Sequence, residues 1–181
     1  FKKIPKGFIP DQDQGWLLVN VLMPDGASVQ RSKQVMAMIE NATLKIPGVG
    51  HTMSTSGYSL LFNAFSSNNA SMFVILDPFE KRKEPGMDAR SIIMKINQMV
   101  WEINREAKVS VLGAPPVPGI GTASGFKLMI EDRGDMGALS LQEETEKLLE
   151  KKSSIPGLFV FFSLYQARTP QLLDRKSTRL N

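Results

Sequence analysis

His51 is the only histidine and the chain has no cysteine. A thiolate nucleophile, a disulfide, a cysteine-ligated metal and a histidine-based triad are therefore outside its reach. What remains for acid–base work is a pair of carboxylates, Asp11 and Asp13, set among Pro10, Gln12 and Gln14 ahead of the first apolar run. Their alternate spacing fits two groups sharing one site and fits a solvated turn equally well. Gly119 to Gly125 has the glycine content of a phosphate-cradling loop, but no Lys-Ser/Thr follows and a strand-like run comes next. A flexible connection is the better reading. No cofactor is expected, and bond chemistry is not where these residues point.

They point instead to apolar binding. Ser56 to Asn69, SGYSLLFNAFSSNN, joins two strand-like runs and carries Tyr58, Leu60, Leu61, Phe62 and Phe65 among Gly57, Asn63 and several serines. Leaving such side chains in water forfeits about 1.5 to 3 kcal/mol each. They must pack on this domain, on a neighbouring subunit, or on a ligand. The expectation is a long loop acting as a flap over an apolar pocket.

The elements that must position this segment follow from periodicity. Trp16 to Met23 is a near-continuous apolar run closed by Pro24-Asp25-Gly26, a buried strand and a turn. Ser28 can cap a helix whose stripe is Val35, Ile39, Ala42 and Ile46, stopped by Pro47-Gly48. Strands are expected over 49–59, 71–76 and 109–112, and a helix over 88–107 with Ile92, Ile96, Met99 and Ile103 on one face. The order is β-α-β-β-α-β, an α+β fold of the ferredoxin-like, split β-α-β kind.

The phrase then restarts. Gly15-Trp16 and Ile46-Pro47-Gly48 are echoed about 110 residues later by Gly125-Phe126 and Ile155-Pro156-Gly157, a spacing of duplicated subdomains rather than of a solenoid. A strand over 126–131, a helix begun by the capping box Ser140 to Glu143 with a stripe of Leu141, Leu148 and Ile155, and a strand over 158–165 form the opening half of a second unit. The expected bounds are 1–14 for a leading segment, 15–112 for the first subdomain, 113–125 for a Pro/Gly linker hinged at Gly113, Gly119 and Gly121, and 126–173 for the partial second subdomain.

Hydrophobic residues make up 42% of the 181, an ordinary globular share, and no run approaches the roughly 18 apolar residues of a membrane span. Residues 174–181, Asp-Arg-Lys-Ser-Thr-Arg-Leu-Asn, back-translate without a gap as GATCGGAAGAGCACACGTCTGAAC, which resembles a sequencing-library adapter read as coding sequence. Removing their three basic and one acidic residues lowers the net charge from +4 to +2. The alternative is a natural basic tail. RNA-recognition motifs share the β-α-β-β-α-β order, but Met72-Phe73-Val74-Ile75 lacks their basic-aromatic signature, so no nucleic-acid partner is expected.

Phe8-Ile9-Pro10-Asp11-Gln12-Asp13-Gln14-Gly15, Leu22-Met23-Pro24-Asp25-Gly26-Ala27-Ser28, Gly121-Thr122-Ala123-Ser124-Gly125-Phe126 and Thr169-Pro170-Gln171-Leu172 together resemble the second periplasmic half of an RND-superfamily multidrug efflux transporter, up to Leu173. The resemblance implies a segment that starts just after a transmembrane helix and holds one whole porter subdomain and part of the next. It implies the periplasmic portion of an inner-membrane, proton-driven pump for drugs and other amphipathic compounds, working as a homotrimer with a periplasmic adaptor and an outer-membrane channel. The family's pocket positions fall on Met53, Tyr58, Leu60 and Phe73, its switch loop on the apolar segment with Leu61, Phe62 and Phe65, and its outer pocket on Ser110 and Leu112. Several positions often aromatic in the family are Met53, Leu60, Ser110 and Leu112 here. A heavy-metal exporter is the nearest rival within the superfamily, but Met53 and Met72 are too few for its methionine cluster. A ferredoxin-like sensor domain for a small ligand is the rival outside it.

Sequencing the native locus past codon 173 checks the tail: the frame is expected to depart from Lys-Ser-Thr-Arg, and its continuation would make the tail natural.

Overall fold

The computed structural model describes residues 12–115, 123, 128–151, 161, 163, 165 and 167. The chain divides into two compact units, 1–126 and 127–181. In the first, β1 (Trp16–Leu22), α1 (Val29–Thr43), β2 (Val49–Ser59), β3 (Ala64–Leu76), α2 (Ala89–Ile103) and β4 (Lys108–Gly113) follow in that order, with a short 3-10 helix at Phe79–Lys81. The strands make one antiparallel sheet in the order β2-β3-β1-β4. The architecture is α+β.

Strand alternation sends Leu17, Val19 and Val21 of β1 and Ala70, Met72, Val74 and Leu76 of β3 to one face. There they meet Val35, Met36 and Ile39 of α1 and Ile92, Ile96 and Val100 of α2 in a single apolar core. The helices start where side chains satisfy their free N–H groups: Ser28 Oγ accepts from Arg31 N, and the Asp88 carboxylate accepts from Ser91 N at 3.0 Å. Val100 takes the core place expected of Ile103, which is exposed. After α1, Gly48 has φ +94°, and a Cβ there would lie 3.1 Å from Ile92 Cδ1. Both the turn and the closeness of α2 call for glycine.

The stretch 56–69 is not the long loop expected. It is a β-hairpin, with β3 beginning at Ala64 and only Leu60 to Asn63 in the turn. The pairing is irregular: Ser56 opposes Ala70 but Tyr58 opposes Phe65, and Gly57 takes φ +85° at the break. Ser59 Oγ donates to Asn20 Oδ1 at 2.8 Å, and Leu60 N donates to Ser71 Oγ at 3.0 Å. The hairpin end therefore turns over the sheet face that carries Asn20 and Ser71. Gly113, expected as a hinge, is the last residue of β4 and opposes Leu17. Gly119 and Gly121 lie outside the described residues.

In the second unit α3 (Ala138–Glu150) starts at Gly137 with no side-chain cap, so the expected capping box at Ser140 lies inside the helix. Its entry is shaped by Asp132, whose carboxylate accepts from Gly134 N and Gly137 N. Thr145 is buried, with Leu141 and Leu148 half-buried beside it. Leu128 to Glu131, expected within a strand, lie outside any strand. The strand expected over 158–165 falls mostly outside the described residues, and Phe161, Ser163 and Tyr165 belong to no strand.

One ion pair ties the first unit together at its end. Arg82, 8% exposed, donates through Nη1 and Nη2 to both Asp13 oxygens, at 2.7 and 3.2 Å, through Nε to Asp77 O and through Nη1 to Met87 O. Its guanidinium also lies 4.7 Å from the Phe79 ring centroid. Asp13 accepts in turn from Gly15 N and Ala89 N. Burial by itself pushes the Asp13 carboxyl up, but the Arg82 hydrogen bonds and the two backbone N–H groups outweigh it and hold it below the usual carboxylate range. A carboxyl lowered in the folded state stabilises above its unfolded pKa, and the gain is lost as pH falls through the folded one. Arg82→Ala should cost about 2 kcal/mol, below the 3–5 typical of fully buried pairs because Asp13 keeps some solvent. Urea denaturation of both chains at pH 7 and pH 3 checks this: the gap between them should narrow at pH 3, and an unchanged gap would count against the pair.

Candidate functional site

The sheet face away from α1 and α2 carries four of the residues expected to bind, Met53, Phe73, Ser110 and Leu112. β1 presents Trp16, Leu18 and Asn20 there, and the register lines up partners across all four strands. Met53, Phe73, Leu18 and Leu112 form one continuous row, each opposite the next. One step along, Thr55, Ser71, Asn20 and Ser110 form a second, entirely polar row. On the other side of the apolar row stand His51, Ile75 and Trp16. Trp16 meets Phe73 edge-on, with ring centroids 5.6 Å apart at 67°, a geometry worth about 0.5–1.5 kcal/mol beyond area burial. Met53 is 63% exposed at the β2 edge, Phe73 and Leu112 are half-buried, and Leu18 is fully buried without belonging to the helix-side core.

The polar row is satisfied internally. Asn20 Oδ1 accepts from Ser59 Oγ at 2.8 Å and from Ser71 Oγ at 3.3 Å, while Ser71 Oγ accepts from Leu60 N. All three side chains are at most 2% exposed. Each such bond contributes about 0.5–1.5 kcal/mol net, and an unmade one at this depth costs more.

Among the expected binding residues, Met53, Phe73 and Leu112 meet in the apolar row and Ser110 joins the polar one. Tyr58 and Phe65 pair instead with each other at the hairpin end, centroids 4.7 Å apart, and the Tyr58 hydroxyl bonds Asn63 Oδ1. Phe65 is 87% exposed. Leu60 starts the turn above Ser71, while Leu61 and Phe62 lie in the turn without register to either row. Leu18 and Asn20 were missed as site residues because the run WLLVNVL reads as wholly buried; the lone polar Asn20 within it was the available signal.

Of the carboxylates considered for acid–base work, Asp13 is engaged by Arg82, and Asp11 lies outside the described residues. His51 is exposed on β2. Met53 and Met72 point to opposite faces, as the partners Met53–Phe73 and Ser54–Met72 require. Among the described residues no helix is long and apolar enough to cross a membrane.

Ser59→Ala should remove one bond from Asn20 and cost about 1 kcal/mol. Amide exchange at Leu60 checks the geometry: it should speed up more than exchange at Val19, and an unchanged Leu60 rate would mean that Ser59 does not hold the hairpin end.

Compared with known proteins, residues 1–177 match the model of the AcrB/AcrD/AcrF family, four residues beyond where the resemblance was expected to end. The toluene efflux pump membrane transporter TtgE of Pseudomonas putida is 31% identical over 160 residues, 87% of this chain and 15% of that protein. The solvent-resistant pump membrane transporter SrpB, also of Pseudomonas putida, is 28% identical, again over 87% of this chain and 15% of its own length. The multidrug export protein AcrF of Escherichia coli is 27% identical over 88% of this chain and 15% of that protein. The chain thus spans about 15% of the length of these relatives.

Proposed function

This chain belongs to the AcrB/AcrD/AcrF family of RND multidrug efflux transporters, and from that premise we propose that its helix-free sheet face is one wall of the cleft through which such a pump moves drugs, solvents and other amphipathic compounds. The observation that carries the reading is the Met53–Phe73–Leu18–Leu112 row. It is apolar, lies on the face away from both helices, and is bordered on one side by Trp16 and on the other by the polar row to which the hairpin end is bonded. Such a wall stabilises a ligand mainly by burying its apolar surface, without bond chemistry. The element order and the strand order β2-β3-β1-β4 suit a ferredoxin-like, split β-α-β porter subdomain.

In the working pump this wall belongs to the periplasmic portion of a proton-driven inner-membrane homotrimer that acts with a periplasmic adaptor and an outer-membrane channel. Residues 127–173 are the beginning of a second porter subdomain, and 114–126 join it to the first. The hairpin end, held over the face by the Ser59–Asn20 and Leu60–Ser71 bonds, is the part that moves as ligand passes. The names of TtgE and SrpB point to toluene and other solvents as the class to try first. A metal-exporting reading finds less support, because Met53 and Met72 face opposite ways.

Trp16 sits at the proposed wall while Trp101, 72% exposed, lies on α2. Trp101→Phe therefore leaves an indole that reports on the wall alone. Its emission should change saturably with toluene, and Phe73→Ala or Leu112→Ala should weaken binding about fivefold, the equivalent of roughly 1 kcal/mol. A linear response without saturation, or one indifferent to both substitutions, would sink the reading. In the full transporter, Phe62→Ala together with Phe65→Ala should alter export of bulky compounds, and unchanged efflux of every substrate tried would remove the hairpin end from the mechanism.

A further inference from the structure

The wall just described contains more polar chemistry than an apolar ligand needs. Asn69, on β3, stands opposite Leu22 and two residues before Ser71, which puts it on the same face as Asn20, Ser71 and Ser110. It is 5% exposed, and its Oδ1 is buried with no hydrogen-bond partner among the described residues. An acceptor left in that condition destabilises the fold, and replacing it by an apolar group of similar shape costs little. Beside it, Asn20 offers a second buried acceptor, already shared by two serine hydroxyls. One of those hydroxyls, Ser59, arrives from the hairpin end, so it leaves when that end lifts. The face then presents two carbonyl oxygens, that of Asn20 next to the apolar row and that of Asn69 one step beyond it. The cation in register with them, Lys108 on β4, is exposed and stands beyond Leu22 from Asn69.

We propose that Asn20 and Asn69 form a polar subsite that takes the hydrogen-bond-donor end of an amphipathic ligand whose apolar body lies along the Met53–Phe73–Leu18–Leu112 row. This rests on the reading of the helix-free face as a ligand wall and adds which ligands it prefers. The chemistry is acceptor-led: a hydroxyl, a phenol or an N–H replaces the Ser59 hydroxyl at Asn20 or fills the vacant acceptor of Asn69. A methyl ether of the same shape has nothing to donate, and burying it there leaves the Asn69 oxygen as unpaired as before. Discrimination of this kind comes from one additional hydrogen bond that the donor forms and its analogue cannot.

The test uses the 181-residue chain and two neutral probes of nearly equal shape, 4-butylphenol and 4-butylanisole, with affinities read by calorimetric titration. The phenol should bind about fivefold tighter than the anisole, the gain expected of one additional hydrogen bond. Asn69→Leu should bring the two affinities together and at the same time raise Tm, because it removes the unpaired oxygen; Ser59→Ala should keep the preference. Equal binding of both probes by the unsubstituted chain overturns the polar subsite and leaves the apolar wall standing. No binding of either probe overturns both. A lower Tm for Asn69→Leu, with the phenol preference retained, shows that the oxygen is partnered within the fold and likewise ends the proposal.

Discussion

A four-stranded sheet has two faces, and this unit has helices for only one of them. Val35, Met36 and Ile39 with Ile92, Ile96 and Val100 close the side bearing Leu17, Val19 and Val21. Fully burying one such aliphatic side chain contributes about 1.5–3 kcal/mol, so this side holds most of the stability. The opposite side has to be settled by other means, and the chain uses two. Around Leu18 it lays an apolar row with Trp16 against Phe73. Around Asn20 it builds a closed hydrogen-bond set with Ser71 and Ser59. The second means is what draws the hairpin end over the sheet, since Ser59 belongs to β2 and Asn20 lies two strands away.

That division of labour depends on the sheet being anchored at its ends. Asp13 and Arg82 gather the entry to β1, the exit of β3 and the first turn of α2 at a single point, because Arg82 also holds Asp77 O and Met87 O while Asp13 holds Ala89 N. Gln14 adds the exit of β4 through a 2.7 Å bond from Nε2 to Pro115 O. At the other end Met23 and Asn68 exchange bonds where the hairpin leaves the sheet. The sheet face away from α1 and α2 is thus carried on a frame fixed at both ends, while the hairpin end is drawn over it by the Ser59–Asn20 and Leu60–Ser71 bonds. A surface that must admit ligand benefits from this arrangement, since local opening then costs much less than global unfolding.

Periodicity made the helix-side half of this design legible. The stripe residues Val35, Ile39, Ile92 and Ile96 and the cap Ser28 are local signals written close together in the chain, although α1 ends at Thr43, ahead of the stop expected at Pro47-Gly48. What stayed illegible was set by contacts distant in the chain. The stretch 56–69 reads as a long loop because large apolar side chains stand among its glycine, serines and asparagines, yet Ser59 of β2 and Ser71 of β3 are buried and their hydroxyls meet Asn20, 39 and 51 positions away. The ion pair of Asp13 spans 69 residues, so a carboxylate that looked solvated is held by a buried arginine. In the second unit the capping box at Ser140 had the right letters, but the turn from Asp132 to Gly137 starts the helix earlier.

Asn20 occupies the position where a purely structural design would place a leucine or valine. It sits in a strand that is otherwise apolar on both faces, two residues from Leu18, at the centre of the sheet. Keeping an amide there obliges the fold to recruit two serines and to bend a hairpin across the face to satisfy it, and it leaves the neighbouring Asn69 oxygen unpaired even so. Buried polar groups that are not fully satisfied lower stability relative to an apolar replacement. A face built only to be covered would be more stable without them. On a wall that meets changing ligands, the same groups have a use, because hydroxyls that can be displaced and an acceptor that waits for a donor allow the polar end of a molecule to be recognised without a fixed charge. On the proposed wall the two rows would act together: the apolar row would order the ligand by burial, and the polar row would decide which end of it faces inward.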